Sequence, residues 1–205
     1  MAYSTIPPWR MRIKQEAEKW ANNVVGGLNS ANELVGWEVL LDIYKRAGDT
    51  ETSVVPAWTN EILDGVRHGR WILRQGRFEP KTRTTYWTST SDDGTIAWCG
   101  VFATWLLKTK LHYDVSWRGG MQGSDIQKMG NSVPRGPLNW RDSIDVGDVC
   151  VLGDNQHHVI ITEVTDGLER VETVEGNLTS PLQSIQKRTD KKKSQFHTLY
   201  KISDL

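Results

Sequence analysis

The apolar residues of this chain keep one period in the first half and another in the last third, and that switch restricts the fold more than any other feature. Ile13, Ala17, Trp20, Ala21 and Val24 recur at helical spacing within 9–28, behind Pro7-Pro8 and ahead of Gly26-Gly27, which are opening and closing signals for a helix. Leu34, Trp37, Leu40, Leu41 and Tyr44 form a second stripe, with Asn32 read as its cap and Gly48 as its stop. A third helix is expected over about 56–68, opening at Pro56, and a buried one over 97–109. Residues 69–95 are rich in Thr and Arg and keep no period, so they read as a long loop with a short strand. Residues 112–146 are broken by Gly and Pro. After Asp145 come short apolar runs at 149–152, 159–164, 171–174, 184–188 and 197–202, separated by turn residues. They read as an antiparallel sheet, and Lys191-Lys192-Lys193 as a solvated turn. Helices first and strands last make an α+β fold. Residues 1–90 form an N-terminal helical region packed on the same domain, and 91–205 form the core that holds the candidate chemistry.

Composition narrows the function. The 205 residues carry 25 Lys+Arg against 25 Asp+Glu. That balance, with no basic stripe, argues against nucleic acid as a partner. The longest nearly apolar run, 97–107, is too short to span a bilayer, so no membrane insertion is expected. Residues 1–30 show no apolar signal-peptide region. Ten tryptophans are unusually many, and the two cysteines, Cys99 and Cys150, make neither a disulfide framework nor a CxxC metal site.

Asp166-Gly167 lies between two strand-like runs, a strong two-residue hairpin signal. With that turn, Thr165 faces Leu168, Glu163 faces Arg170, Val159 faces Val174 and His158 faces Glu175, with Asn177 diagonal to His158 on the same face. A carboxylate or amide on one ring nitrogen leaves the other free as a base. Cys99, at the start of the 97–109 helix, is the matching nucleophile: the helix dipole and free N–H groups there lower a thiol pKa and can hold an oxyanion. Cys150 alternates with Val149 and Val151 on a strand and reads as core. His157 points away from His158 and reads as a surface or supporting residue. Asp92-Asp93-Gly94 reads as a helix-capping turn ahead of a calcium site.

These same residues carry a resemblance. "AWCGVFATWLL" at 97–107, "GDVCVLGDNQHHVIITEV" at 147–164 and "VETVEGNLTS" at 171–180, in that order, resemble the nucleophile helix, the Gly-Asp and His-Val strands, and the following acidic-Gly-Asn strand of CHAP domains. These are cysteine- and histidine-dependent amidohydrolases/peptidases within the NlpC-type, papain-like group. The resemblance covers about 95–202. The chain departs from the pattern in its doubled His157-His158, in Ile160 where Gly is frequent, and in its helical first 90 residues.

The resemblance implies a papain-like fold, in which a small antiparallel sheet packs on the helix that bears the cysteine. It makes Cys99 the nucleophile and His158 the base, with Glu175 and Asn177 orienting the histidine. Trp98, Gly100 and the loop tryptophans Trp87, Trp117 and Trp140 are candidates for contact with substrate. It also implies amide-bond cleavage in peptidoglycan, with no metal and no organic cofactor. The expected protein is a monomer made in the cytoplasm that acts on the cell wall. A phage lysin and an injected antibacterial effector both fit, and the effector brings an immunity protein as partner. A papain-like peptidase or acyltransferase on a protein or small amide would use the same residues. A non-catalytic wall-binding or phage structural module would need a broken site.

Overall fold

The structure is a computed structural model, and it describes residues 6–24, 26–46, 59–69, 71–74, 77–80, 98–113, 126–130, 140–153, 157–165, 169–179 and 182–202. Its helices are α1 (Pro8–Asn23), α2 (Trp37–Arg46), α3 (Asn60–Arg67) and α4 (Trp98–Thr104), and α4 runs straight into a π-helical turn, Trp105–Lys110. The strands are β1 (Trp71–Arg74), β2 (Arg77–Pro80), β3 (Ile126–Gly130), β4 (Val149–Leu152), β5 (His157–Val164), β6 (Arg170–Thr179), β7 (Leu182–Lys192) and β8 (Phe196–Ile202). β1 and β2 pair with each other, and the other six form one sheet in the order β3-β8-β4-β5-β6-β7. Every pairing in it is antiparallel. The α+β expectation therefore holds. The region expected as a loop carries the β1–β2 hairpin, and β3 adds an edge strand inside the stretch expected to be irregular.

Helix ends differ from the periodicity for local reasons. α1 stops at Asn23, because the Val24 carbonyl is taken by the Ile185 N–H of β7 at 2.8 Å. Asn32 does not cap α2. It sits at φ 60 in a turn where the Asn29 side chain accepts the N–H groups of Ala31 and Glu33. Thr59 caps α3 by accepting from Ile62 N at 3.3 Å, and Pro56 lies outside the described residues. Lys193 is not solvated. It starts a short 3-10 turn and is 4% exposed.

The hairpin register also differs. β5 and β6 pair Val164 with Val171 and Glu163 with Glu172, then slip at a bulge, so that Ile160 meets Val174 and Val159 meets Glu175. Before the connection, Thr165 N donates to the Arg170 carbonyl at 3.2 Å. Asp166, Gly167 and Leu168 lie outside the described residues. The expected Glu163–Arg170, Val159–Val174 and His158–Glu175 oppositions do not form. The facing Glu163 and Glu172 are instead compensated by Lys14 at 3.2 Å and Lys187 at 2.6 Å.

One apolar cluster fills the space between the helices and one sheet face. It joins Ile13 of α1 and Leu40 of α2 to Phe102, Trp105, Ile160 and Ile202. The N-terminal helices therefore share their core with the sheet. Its largest member, Trp105, is 1% exposed, meets Trp20 edge-on at 5.1 Å and donates its ring N–H to Asp42 at 2.8 Å. The opposite sheet face packs a smaller cluster around Trp140, Cys150, Val159 and Phe196.

Polar groups lock α1 to the sheet. Asp148 is fully buried and accepts from Arg10 at 2.9 Å, Lys201 at 3.0 Å, Ile202 N at 3.1 Å and Asp145 N at 2.9 Å. Arg10 also donates to the carbonyls of Val146 at 2.6 Å and Ile202 at 2.7 Å. Burial pushes the Asp148 carboxyl up, and the two cations pull it back. Gly147 before it is required twice over. It sits at φ 88, and a Cβ there would lie 2.9 Å from Ile13 Cδ1.

Candidate active site

Cys99 lies in the first turn of α4, which packs against β5 and β6. The β5–β6 pairing ends at Val159 and Glu175. One step beyond that end, the His158 main-chain N–H is satisfied by Cys99 Sγ at 3.3 Å in place of a β6 carbonyl. The sulfur thus occupies the place where the ladder stops, and both sheet faces reach it. His158 shares the helix-side face with Ile160, and its Nδ1 lies 3.7 Å from Sγ. His157 shares the other face with Val159, and its ring lies near enough to the thiol to favour the thiolate.

The carboxylate belongs to His157. Glu175 faces Val159 and so lies on the His157 side of the sheet, where Oε2 meets His157 Nε2 at 3.2 Å. This corrects the expectation that Glu175 orients His158, because the slipped ladder moves the carboxylate to the other face. It also corrects the surface alternative for His157, whose ring meets the buried carboxylate. Glu175 is 1% exposed and is held further by Thr173 Oγ1, donating at 2.6 Å, and by Lys191 Nζ at 3.5 Å. Neither Thr173 nor Lys191 was visible as a site residue in the sequence. The doubled histidine was the one available signal for His157.

The electrostatics follow from this arrangement. Burial alone would raise the Cys99 thiol, but hydrogen bonds from His157 and His158 and their positive charge outweigh it and bring the pKa down to about 5. Burial alone would lower His157, but the thiolate and Glu175 together bring it up to about 9. Burial likewise raises Glu175, and His157, Thr173 and Lys191 reverse that shift to a net lowering. A thiolate beside an imidazolium is the form these groups favour near neutral pH. Cys150, by contrast, is pushed well above the usual thiol range by burial and by the Asp148 charge, in keeping with a core role.

The remaining candidates separate. Gly100 fits tightly: a Cβ there would stand 3.3 Å from His158 Nδ1, so the histidine ring rests on the helix backbone. Trp140 is 4% exposed inside the second apolar cluster, stacked under Arg141 at 4.4 Å. It is therefore a core residue and not a loop aromatic open to substrate. Trp98 and Asn177 lie in α4 and β6, with their side chains outside the described set, and Trp87 and Trp117 lie outside the described residues. No protein-family model, curated protein or solved structure matches the chain.

Proposed function

We propose that the protein is a cysteine-dependent amide hydrolase of papain-like, CHAP-type architecture that acts on peptidoglycan. The observation that carries the thiol chemistry is the Cys99 sulfur, held between two imidazoles at a helix start, with a buried carboxylate behind one of them. The thiolate attacks a peptide carbonyl. Main-chain N–H groups near Cys99 are suited to receive the oxyanion. The imidazolium protonates the leaving amine, and water resolves the acyl-enzyme. No step calls for a metal or organic cofactor.

The choice of peptidoglycan rests on the ordered motifs around Cys99, Gly147-Asp148, His158-Val159 and Glu175-Gly176-Asn177. Action on the wall would make the protein a lysin or an injected effector, the latter with an immunity protein as partner. Purified protein incubated with sacculi should release soluble fragments whose masses identify the cut bond, and Cys99→Ala should release none. Intact sacculi under conditions where a control lysin works would remove this reading. Turnover of protein or small-amide substrates by the same preparation would then favour the peptidase or acyltransferase alternative.

A further inference from the structure

Two adjacent histidines flank one thiol, but the reaction needs one proton carrier. The motif resemblance selects His158. We propose that the proton carrier is His157, and that His158 is a positioning residue that fixes Sγ through its main-chain N–H and wedges its ring against Gly100. The proposal rests on the thiol-hydrolase reading and names the imidazole that serves it.

Among the described side chains, only His157 has a carboxylate behind it. Its Nε2 meets Glu175 at 3.2 Å, which leaves Nδ1 as the nitrogen available to the thiol beside it. A base that must take a proton from sulfur and hand it to an amine keeps its tautomer and ring angle when an acceptor grips the far nitrogen. Among the described side chains, which do not include that of Asn177, no carboxylate or amide reaches the His158 ring. Its neighbours are Sγ at 3.7 Å, the Gly100 backbone and the Tyr200 ring at 6.3 Å. The His158 hydrogen bond to Sγ at 3.3 Å comes from the main chain and survives any non-proline substitution. The ionisable groups around His157 are Cys99 from α4, His158 beside it on β5, Glu175 from β6 and, through Glu175, Lys191 from β7.

The proton traffic closes on this one ring. His157 takes the Cys99 proton, and the thiolate forms a C–S bond with the carbonyl carbon. His157 returns the proton to nitrogen as the C–N bond breaks. Water then attacks the thioester and leaves its proton on His157. The C–S bond breaks, releasing the acid and regenerating the thiolate–imidazolium pair.

The test uses the full chain carrying Cys150→Ala, so that Cys99 is the sole thiol. Thiolate absorbance and iodoacetamide alkylation rate are followed against pH for this parent, His157→Gln, His158→Gln and Glu175→Gln, with circular dichroism to check folding and sacculus digestion run in parallel. The parent should half-ionise near pH 5. His157→Gln should move that midpoint up by about two pH units or more, and His158→Gln by less than about one. Glu175→Gln should shift it in the same direction as His157→Gln while keeping both imidazoles, and it carries the test if His157→Gln does not fold. A larger or equal shift in His158→Gln overturns the proposal, as does an unmoved midpoint in Glu175→Gln. A parent that titrates as expected yet leaves sacculi intact supports the His157 pairing and removes the cell-wall reading.

Discussion

Replacing Arg10 by Leu should detach α1 from the sheet at a calculable cost. The guanidinium is 4% exposed and makes three short hydrogen bonds, to Val146 O at 2.6 Å, Asp148 Oδ1 at 2.9 Å and Ile202 O at 2.7 Å. Removing one partner of a buried ion pair costs about 3–5 kcal/mol, because the other charge stays buried. Asp148 keeps Lys201 and two main-chain N–H groups, which pulls the figure toward the low end. Two buried carbonyls lose a charged donor, which pulls it back up by about 1–3 kcal/mol per group left unpaired. A loss of about 3–5 kcal/mol is therefore expected. For a chain of this size that corresponds to a melting point lower by about 6–20 °C. Urea unfolding followed by circular dichroism reads the loss directly. Adding Asp148→Leu should cost much less than the two single losses combined, since an apolar pair can replace a buried ion pair at little expense. An Arg10→Leu loss under about 1 kcal/mol, or strictly additive losses, would refute the view that this pair is a coupled latch.

Three further outcomes are expected. The pH dependence of kcat/KM should be bell-shaped, rising as Cys99 ionises near pH 5 and falling as the His157 imidazolium is lost near pH 9; a single limb near the ordinary thiol value would contradict the ion pair. Gly147→Ala should destabilise the fold by about 1–3 kcal/mol in thermal melts, because its φ of 88 strains an L residue and its Cβ would meet Ile13 at 2.9 Å. Lys191→Met should move the acid limb of the activity profile upward, because Glu175 loses one of the cations that hold it ionised, and should leave the alkaline limb nearly in place.

How far the sequence could be read depended on the range of the interaction. Helix stripes such as Trp37 and Leu40 in α2, and the strand runs after Asp145, are local patterns, and they led to the right elements. The two cysteines separated by local pattern, because Cys99 lies in the first turn of α4 and Cys150 alternates along β4. The Arg10–Asp148 latch spans 138 positions and left no pattern in either neighbourhood. Lys193 misled because a run of three lysines reads as solvent-facing, whereas the short 3-10 turn carries its side chain inward. The pairing of β5 with β6 misled for a related reason. Asp-Gly signals a two-residue turn whose facing residues sum to 333, but the ladder leaves the connection at 335 and the bulge between Ile161 and Glu163 brings it to 334, an odd net shift that exchanges the faces.

That slip gives the paired histidines a meaning that neither has alone. In a two-residue hairpin at Asp166-Gly167, His158 would stand opposite Glu175. With the bulge His157 stands beside it. A single histidine would leave the relay exposed to any odd shift in the β5–β6 register, since each such shift moves the carboxylate to the other face. Two in succession keep an imidazole within reach of the carboxylate in either phase.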